Sequence, residues 1–326
     1  MSREHDIIQL IAGLSGQTEA MADDAFWDPH TRSVYTTDML VEDRHFSRRY
    51  FNPQDLGWKA AAVNISDLAG MGAQLQYLFI SLGLPEDLDL AFVKGLYEGL
   101  HEACQTFGGI IAGGDTVSSP ILTLNVTAVG TCPEGSHPGR RFMAQPGDYI
   151  IASGFHGLSK VGLQAFQNQW PDFNTSKTCH SRPMPRIEAG LTLARKFERY
   201  ALMDSSDGLA DALIKIAESS QQTLIVEQRK LPIHPEVMAY GQKLTPSQPE
   251  ATAFHTLLYG GEDFELIATV PEVDAEILAH FHVIGKVGNP EHPALPVGAY
   301  VKEIASGQLQ ALSLAETYQH FKGENA

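Results

Sequence analysis

One carboxylate in unsuitable surroundings sets the problem this chain must solve as it folds. Asp67 stands within Ala60 to Ala73 (AAAVNISDLAGMGA), a run of mostly small and apolar residues at roughly helical spacing. An ionised side chain buried in such a helix without a partner is costly, so Asp67 calls for a cation. Other Asp residues occur where strands or turns are expected to end: Asp23-Asp24, Thr36-Thr37-Asp38, Gly113-Gly114-Asp115-Thr116 and Met203-Asp204-Ser205-Ser206-Asp207-Gly208. Each alone has a plainer reading, because Asp is common at caps and turns. Asp207 ahead of Gly208-Leu209-Ala210 reads equally as the cap of a following helix.

Convergence would change the chemistry. Two carboxylates about 4 Å apart repel by ~4 kcal/mol at an effective dielectric of about 20, so a cluster of them needs bound metal. The donors offered are carboxylates, hydroxyls and carbonyls, with no nearby Cys or grouped His, which selects Mg²⁺ or Mn²⁺ over zinc. Glycines in Gly113-Gly114-Asp115 would let backbone N–H groups approach a phosphate closely, although most such triplets are only tight turns. No Walker-type lysine loop and no dinucleotide fingerprint is present, which argues against a P-loop kinase and a Rossmann dehydrogenase.

With 23 basic and 39 acidic residues the net charge is −16, a field that repels nucleic acid and anionic membranes. It would repel nucleotides too, unless metal ions cover the acids. No apolar run is long enough to cross a bilayer. The first residues, Met1 to Asp6, do not read as a signal peptide, so a soluble cytoplasmic protein is expected. Cys104, Cys132 and Cys179 suit neither a disulfide framework nor a zinc site and read as buried free thiols.

A length of 326 residues suits two α/β domains better than one core, and Pro146-Gly147-Asp148 marks the turn between them. The expected units are 1–145 and 146–326. In the first, Val34 to Thr37 predicts a strand delivering Asp38 at its end, Asn52-Pro53 opens a helix carrying Asp67, and a second helix follows Pro85 and stops at Gly108-Gly109. Ile110 and Ile111 lead as a strand into Gly113, with a neighbour over Ile121 to Val129. The second unit should carry helices over Lys160 to Gln167, Arg186 to Tyr200 and Asp207 to Ser219. Its strands should lie at Leu224 to Glu227, Phe264 to Val270 and Val283 to Val287, and Gln169 to Arg182 reads as a loop. The alternation implies α/β or α+β layers.

In order, Asp23-Asp24-Ala25, Thr36 to Phe46 (TTDMLVEDRHF), Lys59 to Ala73 (KAAAVNISDLAGMGA), Gly113 to Thr116, Pro146-Gly147-Asp148, Met203 to Leu209 (MDSSDGL), Gly260 to Leu266 (GGEDFEL) and Tyr318-Gln319-His320-Phe321 span nearly the whole chain. Together this series resembles the thiamine-monophosphate kinases, of the superfamily that includes aminoimidazole ribonucleotide synthetase. The resemblance implies that two-domain fold, with N-terminal sheets pairing into a barrel across a homodimer. It also implies transfer of phosphate from ATP to thiamine monophosphate, giving thiamine diphosphate, with several Mg²⁺ ions per site.

By the same resemblance Asp24, Thr36, Thr37, Asp38, Asp67, Asp115, Asp204 and Asp207 are the metal ligands, with Asp67, Asp115 and Asp204 catalytic. Gly114, Asp115, Arg141 and Ser206 would touch ATP, and His45, Glu262 and Tyr318 the thiamine monophosphate. The pattern departs from the family at Ala22 and Asp43, where glycine is usual. A metal-dependent phosphohydrolase and a divalent-ion binding protein are the rival readings from residues alone. Selenophosphate synthetases would require a Cys and a Lys before Asp24, and neither occurs there.

Overall fold

The computed structural model describes residue 7 and residues 10–14, 23–288, 295–304 and 306–317. Tyr318 and Ala22 lie outside the described residues.

Two mixed sheets organise these residues. The first has the order β1-β2-β5-β3-β4, built from β1 (Phe26–Asp28), β2 (Ser33–Val41), β3 (Gln74–Leu84), β4 (Ile110–Ser118) and β5 (Thr123–Thr131). Helix α1 (Pro53–Gly70) precedes β3, and α2 (Leu90–Phe107) makes the crossover between the parallel neighbours β3 and β4. Asn52 caps α1 as expected, accepting from the Asp55 N–H at 2.7 Å. Asp89 caps α2, three residues beyond the position after Pro85 that the sequence suggests, because its carboxylate accepts from Phe92 N–H at 2.8 Å. The two helices approach closely through glycine. A Cβ on Gly57 would lie 1.9 Å from the Leu96 carbonyl oxygen, and one on Gly99 equally near that of Gln54.

Both helices lie on one face of this sheet. Along β2, Val34, Thr36 and Leu40 are buried while Tyr35, Thr37 and Met39 are exposed, and along β3 Leu78 and Ile80 are buried while Tyr77 and Phe79 are exposed. The outer face therefore presents aromatic and aliphatic side chains to solvent.

The second sheet has the order β12-β11-β8-β10-β6-β9-β7, with β6 (Tyr149–Ser153), β7 (Ala201–Asp204), β8 (Thr223–Glu227), β9 (Leu266–Val270), β10 (Phe281–Val287), β11 (Gly298–Lys302) and β12 (Leu309–Ala311). Its helices are α3 (Leu158–Gln167), α4 (Asn174–Ser181), α5 (Ile187–Lys196), α6 (Leu209–Ser220), α7 (Pro235–Leu244), α8 (Pro249–Tyr259) and the single turn α9 (Ala275–Leu278). Both faces of the sheet's centre are buried. Ile151, Leu202, Leu266 and Ala268 join α1 and the first sheet in one core, whereas Ile150, Ala201, Met203 and Ile267 pack with α6 in another.

Three expectations change. β2 continues to Val41 and β4 to Ser118, so Asp38 and Asp115 sit within strands rather than at their ends. The loop expected over Gln169 to Arg182 contains α4. Its sequence, NTSKTCHS, is a poor helix former, but Glu236 from α7 accepts from Thr175 N–H at 3.1 Å and Ser176 N–H at 2.8 Å. The cap arrives from a distant segment, where local propensity cannot register it. Cys104 and Cys132 are buried and free as expected, while Cys179 is free and only half-buried.

Candidate active site

Helix α1 is buried along most of its length, with its C-terminal end pressed against β7. A Cβ on Gly70 would lie 2.3 Å from Asp24 Oδ2 and 3.0 Å from the Asp204 nitrogen. This close approach draws together carboxylates far apart in sequence. Asp24 Oδ2 accepts from Asp204 N–H at 3.0 Å, Ser66 Oγ donates to Asp204 Oδ2 at 2.5 Å, and Thr36 Oγ1 donates to Asp67 Oδ2 at 2.5 Å. Asn64 Oδ1 accepts from Asp38 N–H at 2.9 Å and ties β2 to the same stretch of α1.

The electrostatics record the crowding. Burial, followed by the charges of Asp38, Asp204 and Asp24, pushes the Asp67 carboxyl well above its ordinary range. Asp204 is pushed up to about 8 by burial and then by Asp24, against the opposing Ser66 hydrogen bond and the Arg141 charge. Arg141 donates from Nη2 to Asp24 Oδ1, its neighbour Arg140 pairs with Asp23, and Arg141 Nε is buried with no hydrogen-bond partner among the described residues.

The remaining expected residues are placed differently. The Thr37 hydroxyl lies on the outer face of the sheet, donating to Val126 O at 3.2 Å, opposite to Thr36. Asp207 does not cap α6, whose N-cap is Gly208. Its carboxylate lies 3.5 Å from Lys215 Nζ, which also pairs with Asp211 at 2.7 Å. Ser206 contributes its carbonyl, accepting from Glu262 N–H at 2.6 Å. Gly114 and Asp115 are on the exposed edge strand β4. Asp38 faces Val126, Val126 faces Ile80 and Ile80 faces Gly114, so these residues stand three strands from Asp38, roughly 14 Å at the usual strand spacing. One chain by itself does not bring Asp115 to the other carboxylates.

The acids of Gly260 to Leu266 divide their work. Asp263 accepts from the N–H groups of Gly157 at 2.6 Å and Ser159 at 2.9 Å, at the start of α3, and Glu265 takes both Arg186 Nε at 2.7 Å and Nη2 at 2.5 Å. Glu262 instead lies by Lys59 and His180, with His45 close enough to help hold its carboxyl down. His45 Nδ1 accepts from Val41 N–H at 3.0 Å. Asp43 has φ 58°, the left-handed region that favours glycine, and Ser47 Oγ bonds its carboxylate at 3.2 Å. Asp148 of Pro-Gly-Asp is structural, buried and clamped by Arg199 at 2.6 and 2.8 Å.

Sequence reasoning assigned no role to Asn64, Ser66, Lys59 or His180. Lys59 carried the same signal as Asp67, a charge in an apolar helical run, whereas His180 sits in a polar segment that gave none.

Residues 21–132 match the family model described as AIR synthase related protein, N-terminal domain. The chain is 36% identical over 302 residues to the thiamine-monophosphate kinase of Synechococcus elongatus, covering 88% of this chain and 86% of that protein. It is 34% identical over 310 residues to the one from Bacillus subtilis, covering 89% of each. Among solved structures, AaThiL complexed with AMPPCP and TMP is similar with a TM-score of 0.84 at 27% identity, over 98% of this chain and 97% of that one. No helix among the described residues is long and apolar enough to cross a membrane.

Proposed function

This chain belongs to the thiamine-monophosphate kinase family and is a kinase of that kind; from that premise we propose that it transfers the γ-phosphoryl group of ATP to thiamine monophosphate, giving thiamine diphosphate and ADP. The observation that carries the reading is the meeting of Asp24, Asp38, Asp67 and Asp204, from both halves of the chain, at one end of α1. An anionic crowd of this kind repels two phosphate-bearing reactants unless divalent cations stand between them.

The residues fit magnesium in chemistry: hard oxygen donors, two of them the carboxylates of Asp67 and Asp204, held above their ordinary range first by burial and then by neighbouring carboxylate charge. Among the described residues no three His, Cys, Asp or Glu side chains are already closed on one point, so phosphate oxygens and water would supply the remaining ligands. When bound, the ions would neutralise phosphate charge and stabilise the charge that develops on the transferring group.

We assign Asp24, Thr36, Asp38, Asp67, Asp204 and Asp207 to the metals by side chain, Thr37 by its carbonyl, and Asp115 from a second copy. Gly114, Asp115, Arg141 and Ser206 are assigned to ATP, and the unsatisfied Arg141 Nε is available to a nucleotide oxygen. His45, Glu262 and Tyr318 are assigned to thiamine monophosphate. The acceptor phosphate has a second pKa of about 6 and is mostly a dianion at neutral pH, so no side chain need remove a proton from it. One of its oxygens bonds to the γ-phosphorus while the bond to the β–γ bridging oxygen breaks and ADP departs. The protein's share is to hold those atoms in line.

A homodimer belongs to this reading. The bare outer face of the first sheet and the exposed strand β4 are what a second copy would cover, and Gly114 and Asp115 would then serve its site. The division at 145/146, between the last strand of one sheet and the first of the other, belongs to it as well. Incubation with ATP, Mg²⁺ and thiamine monophosphate, followed by product analysis, tests the function. Thiamine diphosphate and ADP in equal amounts are expected, and release of inorganic phosphate alone would overturn it in favour of a phosphohydrolase.

A further inference from the structure

About two turns before Asp67 on α1 lies a buried charge that the proposed reaction does not yet use. The Lys59 side chain is 0% exposed, with Nζ 3.1 Å from Glu262 Oε1 and 5.4 Å from the centroid of the Phe51 ring. Among the described residues it meets no well-directed hydrogen-bond acceptor. On the other side of the same carboxylate, His180 from α4 is 1% exposed. Its Nδ1 lies 3.5 Å from Glu262 Oε2 and 3.0 Å from Ser159 Oγ, and its Nε2 also lacks a partner among the described residues. Glu262 thus has one oxygen against each buried group, while its side chain remains 33% exposed.

The backbone is arranged to keep it there. Glu262 has φ 65° and Phe264 φ 54°, both in the left-handed region, and the Glu262 N–H is tied to the Ser206 carbonyl at 2.6 Å. Such conformations are strained for residues other than glycine and persist where the surroundings enforce them. Beside the carboxylate, Tyr50 and Phe166 stack with centroids 5.0 Å apart and planes at 13°. Tyr50 lies near enough that, after burial, the Glu262 charge helps raise its hydroxyl.

An ion pair kept only for stability is a weak explanation for this arrangement, since a buried pair gains little over an apolar replacement of similar volume. A buried cation held against a half-open carboxylate does something an apolar residue cannot: it keeps that carboxylate charged and fixed. We propose, resting on the kinase reading above, that Lys59, assisted by neutral His180, is a positioning residue. It holds Glu262 ionised and in one orientation, so that Glu262 accepts hydrogen bonds from the amino-substituted heteroaromatic ring of the phosphoryl acceptor. The electrostatics agree. Burial works to raise the Glu262 carboxyl and is outweighed by its neighbours together, Lys59 foremost among them, while burial and then Lys59 push His180 down to about 3. The other titratable groups around the carboxylate are His45, Tyr50 and Asp263.

The test is steady-state kinetics of K59M, K59R, E262Q and the K59M/E262Q double variant from pH 6.5 to 8.5. K59M is expected to raise KM for thiamine monophosphate about ten- to a hundredfold at pH 6.5, the range for a lost hydrogen bond to a charged group. KM for ATP and the saturating rate should change little, the penalty should shrink toward pH 8.5, K59R should recover most of it, and K59M should add nothing once Glu262 is Gln. An unchanged KM, a loss shared by both substrates, or the same penalty in the E262Q background would overturn the proposal. Should K59M fail to fold, the infrared difference between wild type and E262Q at pH 5 decides: a carboxylate band supports the pairing and a protonated-acid band refutes it. That band needs no turnover, so an inactive wild type would refute the kinase reading while the pairing was judged separately.

Discussion

Lys59 and Asp67 stand eight residues apart on α1, about 12 Å along its axis, and the protein handles the two charges in opposite ways. Lys59 is neutralised from within, by a carboxylate 3.1 Å away. Asp67 is surrounded by more of its own sign; Thr36 donates to it, and Ser66 and Arg141 ease the neighbouring Asp204. The first arrangement is finished before a ligand arrives. On the proposed reading the second is completed by divalent cations, and its energy would fall when they bind. One helix therefore supplies a rigid recognition end and a charge-hungry reaction end.

The strongest way to break this contrast is Asp67→Asn. It should lower turnover on the order of a thousandfold at saturating Mg²⁺, because the lost ligand acts on transition-state charge. It should also raise the melting temperature in the absence of divalent ions, by about 2–4 °C for each kcal/mol of repulsion removed at this chain size, and weaken the further rise that Mg²⁺ gives the wild type. Near-normal rates, or a fall in melting temperature without Mg²⁺, would show that the carboxylates are not in conflict.

The next test asks whether the reaction end is complete in one chain. Asp115→Asn should lower activity by a similar order. Mixing it with the Asp67→Asn protein should restore about a quarter of the wild-type rate, since half of randomly paired dimers are mixed and each has one intact site. No recovery on mixing, under conditions where subunits exchange, would show that one chain supplies both residues to its own site. Phe79→Glu on the bare outer face should shift the protein toward monomer in sedimentation and cost about tenfold or more in rate.

The smallest effect belongs to the recognition end. His180 has a folded pKa of about 3, well below the usual ~6.5 of an unfolded histidine. The unfolded chain therefore binds more protons between these values, so this contribution to stability is complete above about pH 6.5 and is lost as pH falls toward 3. His180→Gln should flatten the acid limb of a denaturation-versus-pH curve while leaving stability near pH 8 within about 1 kcal/mol. An unchanged acid limb would mean that His180 is charged, and the neutral half of the pocket would have to be abandoned.

Much of this was legible in the residues. Asn52-Pro53 marked the start of α1, the apolar periodicity carried it past Asp67, and the odd carboxylate in that helix pointed to the crowd of acids it meets. Asp24 and Asp204 were visible as members of motifs, but not their contact, which depends on Gly70 allowing β7 to approach α1. Helix α4 was missed because a glutamate 60 residues away caps it, and with it His180. Gly113-Gly114-Asp115 looked like a turn and proved to be an exposed strand, since the pairing with β3 is not written in the triplet.

The sequence by itself determined which residues would be in trouble: a lysine and an aspartate committed to a buried helix, and acids spaced along a chain of net charge −16. Periodicity and burial cost are local properties, readable one segment at a time. Only the tertiary structure decided which trouble was resolved internally and which was left for a ligand. Whether a buried charge meets its opposite or its like depends on contacts between segments as far apart as Lys59 and Glu262, or Asp24 and Asp204, and Coulomb's law acts on distance in space alone.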